Sequence, residues 1–193
     1  MISDILFTTS LLFLGGGLYF GYNSLNSLQS KLSSIILLIA GVSYMLMSHL
    51  FGIDDTTNLR TWRYLDWTFT VPILIYQMYT FLKVKHKKIG TLLSSILCML
   101  GMLLFGFLGE ASIIPKVLGG FIGTMFSIYT FVSLSNGIKK KQLNFFIGVL
   151  TLWMFYPIVY FTTDSLMTII LYSLVDLTAK LGVAIYIHTK YEK

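Results

Sequence analysis

Two short stretches carry ionisable side chains at spacings suited to chemistry in an apolar setting. The first is Asp176-Leu-Thr-Ala-Lys180, where an i, i+4 separation puts a carboxylate and an amine on one helical face. The second is Arg63-Tyr-Leu-Asp66-Trp-Thr-Phe-Thr70-Val-Pro72, in which Arg63, Asp66 and Thr70 stack along one stripe. One lysine and one arginine against two aspartates let such a cluster neutralise itself without water. Two outcomes are open for it: a salt-bridge network that locks two helices together, or a reactive amine with its own acid–base partners. An amine kept from water is usable as a nucleophile, and such lysines form Schiff bases with carbonyl compounds. Aromatic side chains complete the candidate site. In Trp153-Met-Phe-Tyr156-Pro157-Ile-Val-Tyr160, the residues Trp153, Tyr156 and Tyr160 share a face, and Trp67 directly follows Asp66. Each such stripe taken alone is ordinary packing. Beside a lysine and two carboxylates, the rings could wall a slot for a flat, conjugated, apolar ligand.

The elements that must position these residues are membrane spans. Of 193 residues, 55% are hydrophobic and 11% charged, against roughly 25% charged in an average soluble domain. That deficit excludes an ordinary soluble enzyme, and the 16% aromatic content excludes disorder. Basic residues outnumber acidic ones, 14 to 8, but they cluster between apolar runs, as in a membrane protein and not a nucleic-acid binder. The single cysteine, Cys98, lies in an apolar run, so neither an internal disulfide nor a metal-ligand spacing is expected. Apolar runs fall at about 4–27, 32–51, 61–82, 89–109, 113–135, 142–163 and 166–188, near the roughly 20 residues a span requires. Pro72 and Pro157 lie inside spans, where neighbouring helices re-satisfy the freed carbonyls. The first run lacks a basic leader and carries Asp4, so it is expected to be a span and not a signal peptide. The expectation is therefore an all-α, seven-helix transmembrane bundle, with residues 1–193 forming a single domain.

Orientation follows from the basic residues. Lys31, Lys83, Lys85, Lys87, Lys88, Lys139, Lys140, Lys141, Lys190 and Lys193 fall on the side of the C-terminus, against Arg60, Arg63 and Lys116 opposite. That asymmetry predicts a cytoplasmic C-terminus and an outside N-terminus.

These motifs resemble those of the microbial (type 1) rhodopsins, and within them the proteorhodopsins. Arg63-Tyr-x-Asp66-Trp-x-x-Thr70-x-Pro72 resembles the third-helix signature, and Trp153-x-x-Tyr156-Pro157-x-x-Tyr160-Phe-Thr the sixth. Asp176-x-x-x-Lys180 resembles the seventh, and Met102-Leu-Leu-Phe-Gly-Phe-Leu-Gly-Glu110-Ala the end of the proteorhodopsin fourth helix. The likeness runs from about Arg60 to the C-terminus, and the short loops are similar to those of giant-virus rhodopsins. It implies all-trans retinal bound to Lys180 as a protonated Schiff base. Asp66 would be the principal counterion and first proton acceptor, Asp176 the second counterion, and Arg63 the outward relay. Thr70 would hydrogen-bond Asp66. Trp67, Trp153, Tyr156, Pro157 and Tyr160 would line the chromophore, and an apolar Leu74 at the colour-tuning position implies green absorption.

The departures from the family pattern bear on function. Gln77 stands eleven residues after Asp66, roughly 16 Å further along a helix, where proton-pumping relatives carry an acid that reprotonates the Schiff base. An amide cannot do this. The best register puts Met47 where many relatives have a pocket tyrosine, and His49 is a candidate counterion partner at an ill-fitting offset. Asp54, Asp55, Glu110 and Asp164 fall at outer span ends, as solvated charge or a release site. The leading expectation is a light-driven outward proton pump with a slow cycle, not an enzyme. A light-gated cation channel is the alternative, with Asn23, Asn26 and Gln29 as polar lining, followed by a sensory photoreceptor. The expected partners are the lipid bilayer, protons or small cations, and a second copy of the chain. Gly15-Gly16-Gly17 and Gly119-Gly120 would permit close helix packing within or between protomers.

Overall fold

The computed structural model describes residues 2–23, 27–52, 56–82, 89–136, 138–162 and 165–191. These are all-helical, with no strand among the described residues. Six helices precede the last span: α1 (Ile2–Tyr22), α2 (Leu28–Gly52), α3 (Thr56–Phe81), α4 (Ile89–Glu110), α5 (Lys116–Ser135) and α6 (Leu143–Tyr160). The last span is one rod in three parts: α7 (Ser165–Leu177), a π-helical turn (Thr178–Gly182) and α8 (Val183–Tyr191). Seven rods result, as the apolar runs predict. Six are long and apolar enough to cross a membrane. The other, α3, has the length at 26 residues but carries Arg60, Arg63 and Asp66.

The boundaries differ from the sequence expectation by a few residues, for local reasons. The first helix stops at Tyr22, and Asn23 Nδ2 donates to the Tyr19 carbonyl at 3.0 Å, satisfying one of the last carbonyls. Helix α5 begins at Lys116 because Pro115, extended at φ −54° and ψ 129°, occupies its N-cap. Pro72 and Pro157 sit inside α3 and α6, which continue past them.

The chain forms two compact units, residues 1–70 with 164–193 and residues 71–163. In the first, α1 and α2 pack through reciprocal close approaches. A Cβ on Gly17 would lie 2.8 Å from Leu38 Cγ, and one on Gly41 would lie 2.7 Å from Leu14 Cγ. Ser34 Oγ donates to the Gly17 carbonyl at 2.7 Å across the same seam. In the second unit, α4 and α5 approach so closely that a Cβ on Gly119 would meet the Phe105 carbonyl oxygen at 2.5 Å and Gly109 Cα at 3.1 Å. Lipid offers little drive for apolar surfaces to associate, so contacts of this kind hold membrane helices together.

A substitution pair tests this packing. Gly119→Ala is expected to lower the thermal midpoint in detergent, costing about 1–3 kcal/mol by overpacking against backbone. Gly148→Ala on α6, where nothing lies within 4 Å, should be neutral or stabilising by about 0.5–1 kcal/mol. Equal midpoints for the two variants would remove the close-approach account.

Candidate functional site

The first unit gathers the ionisable residues singled out in the sequence. Lys180 lies in the π-helical turn, 2% exposed, and its Nζ meets Asp66 Oδ2 at 2.5 Å and Asp176 Oδ2 at 3.4 Å. The two carboxylates come from different helices, Asp66 from α3 and Asp176 from α7, and both are buried. A π-helical turn is uncommon and concentrates at functional sites, since it adds a residue locally and rotates the helix beyond it. Here it carries the buried lysine itself.

Asp176 is held from two further directions. Trp67 Nε1 donates to its oxygens at 3.1 and 3.0 Å, and the Tyr44 hydroxyl donates to Oδ2 at 3.0 Å. A buried carboxylate needs such donors, because each unmet acceptor keeps its desolvation cost. Tyr44, on α2, is the residue the sequence reading missed. The tyrosine that the second helix brings to this centre stands three residues before Met47. Only contact between helices reveals it, since nothing in the local pattern separates Tyr44 from other buried rings. Its ring also meets Phe13 edge-on at 5.3 Å.

Thr70 Oγ1 donates to the Asp66 backbone carbonyl at 2.9 Å. Arg63, also buried, lies over aromatic rings, with its guanidinium carbon 4.3 Å from the Tyr172 centroid and 5.6 Å from that of Trp67. Lys180 and Arg63 against Asp66 and Asp176 make the buried charges cancel. That satisfies the requirement for burying ions without water.

Leu74, Gln77, Trp153, Tyr156, Pro157 and Tyr160 belong to the second unit. Leu74 and Gln77 are buried, Gln77 at 1% exposure. Trp153 packs edge-on against Phe131 at 5.5 Å and lies 6.1 Å from Tyr156, with Pro157 next in chain and half-buried. Tyr160 donates its hydroxyl to the Lys116 carbonyl at 3.1 Å, and a Cβ on Gly120 would reach its ring at 2.7 Å. His49 is exposed on the last turn of α2, and Glu110 closes α4. Asp54, Asp55, Asp164 and Asn26 lie outside the described residues, as do Lys83, Lys85, Lys87 and Lys88.

A buried amine between two carboxylates, in a seven-helix fold with spans of membrane length, defines an integral multi-pass membrane protein built around one lysine. The model of the bacteriorhodopsin-like protein family matches residues 2–191, and the chain belongs to that family, the microbial type 1 rhodopsins. It is 29% identical over 140 residues to the green-light absorbing proteorhodopsin of Gamma-proteobacterium EBAC31A08, covering 65% of this chain and 56% of that protein. The match thus spans little more than half of the relative's length. Among solved structures, viral rhodopsin OLPVRII superposes with a TM-score of 0.90 at 21% identity, over 99% of this chain and 97% of that one. The light-driven proton pump LR (Mac) from Leptosphaeria maculans gives 0.84 at 22% identity, over 99% and 95%. At these identities the structural likeness speaks for the fold. Membership of the family implies retinal bound to a lysine.

The hydrogen bonds to Asp176 lead to a stability prediction. Tyr44→Phe keeps the ring contact with Phe13 and removes one donor from a buried carboxylate. It should lower the unfolding midpoint of the retinal-free protein by an amount corresponding to about 1–3 kcal/mol. Unfolding followed by tryptophan fluorescence checks this, and an unchanged midpoint would mean that the hydroxyl adds nothing.

Proposed function

We propose that this protein is a light-driven outward proton pump whose chromophore, all-trans retinal, is held through Lys180, and that residues 1–193 act as one retinal-binding membrane domain. Carrying this proposal is the contact between Lys180 Nζ and Asp66 Oδ2, buried and 2.5 Å long. A proton on the nitrogen has an acceptor within one hydrogen bond, which is the geometry proton transfer needs. The donor set also fits the chromophore. Lys180 is the only buried lysine among the described residues, and Asp66 Oδ1 is buried with no hydrogen-bond partner among them. That oxygen leaves acceptor capacity beside the amine.

Bound retinal supplies absorption of visible light and a light-driven change in the acidity and position of the proton on the lysine nitrogen. The chain does the rest. Asp66 takes the proton at a carboxylate oxygen. Asp176, fixed by Tyr44 and Trp67, stays as the negative charge that balances Lys180. Arg63 lies one turn before Asp66 on α3 and conducts charge towards the outside. Thr70 anchors the backbone of Asp66. By the family resemblance, Trp67, Leu74, Trp153, Tyr156, Pro157 and Tyr160 would wall the chromophore, and an apolar Leu74 would favour green absorption, the property named for the proteorhodopsin relative.

Outward direction rests on the distribution of lysines, which puts the C-terminus inside. Gln77, a buried amide, has no proton to give, so the nitrogen is reprotonated directly from the cytoplasm and the cycle is slow. The protein works as a homo-oligomer in the bilayer. Gly16, Gly17, Gly119 and Gly120 are already packed against side chains or backbone of this chain, whereas a Cβ on Gly15 meets nothing within 4 Å, which leaves room for a partner. A light-gated cation channel is the second reading, favoured by the buried polar run Gln29, Ser30, Ser33 and Ser34 at the start of α2. Photocurrent under voltage clamp separates the two, since a pump current keeps its sign across voltages and a channel current reverses.

Reconstitution with all-trans retinal should give a green-absorbing pigment, and Lys180→Ala should give none. Acid should shift wild type to the red by protonating Asp66, and Asp66→Asn should be red-shifted at neutral pH. A coloured Lys180→Ala protein would overturn the cofactor assignment. An Asp66→Asn protein that titrates like wild type would exchange the roles of Asp66 and Asp176.

Reprotonation is expected to slow about tenfold per pH unit, because it draws on free protons, and azide should speed it. Gln77→Glu should accelerate the decay and flatten its pH dependence in flash photolysis over about pH 6 to 9. A wild-type decay already fast and independent of pH would show that another residue donates.

A further inference from the structure

Beside the charged centre, the first unit holds an arrangement that the pumping scheme leaves unused. Tyr172, 2% exposed, stands four residues before Asp176 and eight before Lys180, so one face of the last span presents all three. Its ring lies under the Arg63 guanidinium at 4.3 Å, closer than Trp67 at 5.6 Å or Tyr64 at 5.8 Å. Trp67 in turn braces Tyr172 edge-on at 5.1 Å. Against this stack lies a cavity of about 10 Å³ bordered by Arg63, Tyr172, Ser173 and Tyr44, with Leu6 and Ile169 as apolar wall. Space of that size suits about one water, which needs two to four polar partners, and these four side chains supply them. The Tyr44 hydroxyl at this border is also the donor to Asp176.

An arginine on a flexible stem has many rotamers, and a desolvated ring face is what selects one. Building on the retinal-on-Lys180 reading above, we propose that Tyr172 is the positioning residue of Arg63. Its ring holds the guanidinium one helical turn from Asp66 on α3 and makes it one wall of a one-water compartment on the proton's way out. Arg63 thereby stabilises the ionised form of Asp66, and the compartment carries the released proton past Tyr44 and Ser173 towards the outer end. Asp66 is also faced by Lys180 and Asp176 from the last span and by the Tyr44 hydroxyl from α2, and Thr70 lies on its own helix. Arg63 lies directly on the Tyr172 ring, whereas Asp176 is linked to it through Trp67, so the Arg63→Gln background separates an effect carried by Arg63 from one carried by Trp67.

Colour titration of the retinal-loaded protein tests this. Tyr172→Leu removes the ring face and should move the pH of the colour change upward by about one unit, a tenfold change in the proton affinity of Asp66. Tyr172→Phe keeps the face and should titrate close to wild type. In an Arg63→Gln background, Tyr172→Leu should add no further shift. Tyr172→Met fills similar space without a π face and replaces the leucine variant should that one form no pigment. A leucine or methionine variant that titrates with wild type would overturn the proposal, as would an equal shift in the Arg63→Gln background. Asp66→Asn serves as the control for the underlying reading. Should wild type form no pigment, or Asp66→Asn still titrate, the retinal and counterion assignments fail first and this inference falls with them. A silent Tyr172 in a pigment that titrates through Asp66 overturns the positioning role alone.

Discussion

An ammonium group buried in a membrane has no water to solvate it, and the architecture of the first unit answers that constraint. Lys180 is 2% exposed, so its charge must be balanced within hydrogen-bond range. Asp66 and Asp176 supply that balance from two helices. Two carboxylates overcompensate a single lysine, and the buried Arg63 restores neutrality. Each ion then needs its own partners: Asp176 receives Trp67 and Tyr44, while Arg63 lies over Tyr172. Removing one member leaves another uncompensated, which is why buried ionic clusters are costly to break. The same neutrality makes the cluster responsive, because moving one proton from nitrogen to carboxylate changes the charge pattern without changing its sum.

The remainder of the chain solves a different problem. Large apolar side chains such as Leu18, Val117 and Ile158 point outward, at 67%, 71% and 65% exposure, as suits a surface facing lipid. Such a surface cannot drive the helices together, so cohesion depends on close approach. Gly17 and Gly41 accept leucines between α1 and α2, and Gly109 and Gly119 bring α4 and α5 nearly to backbone contact. Tyr160 fills the space that Gly120 leaves and donates to the α5 carbonyl of Lys116. In this way the polar tip of an aromatic residue also serves the packing.

Ionisable character is asymmetric along α3. Arg63 and Asp66 give one stretch of this helix ionisable groups, whereas Gln77 gives the other a buried amide. The ionisable side chains of this helix are thus concentrated beside the lysine and on the Arg63 side. Tyr172 and the small cavity belong to that side too, where the Arg63 guanidinium lies over the Tyr172 ring.

The sequence by itself determined the number of spans, the helices that carry the charges, and the complementarity of Arg63, Asp66, Asp176 and Lys180. Each of these is a local property: apolar length sets a span, and helical periodicity sets a shared face. The residues resembling a rhodopsin were legible for the same reason, as short motifs on single helices. Tertiary structure decided what depends on contact between helices. It chose Tyr44 as the second-helix partner of Asp176, where register alone pointed to the position of Met47. It opened a π-helical turn at Lys180, which no residue pattern announces. It laid Arg63 over Tyr172, two residues more than a hundred positions apart in the chain. Hydrogen bonds and ring contacts across helices arise from how the rods are rotated and spaced. Those quantities are set by packing of the whole unit and leave no period in the sequence of any one of them.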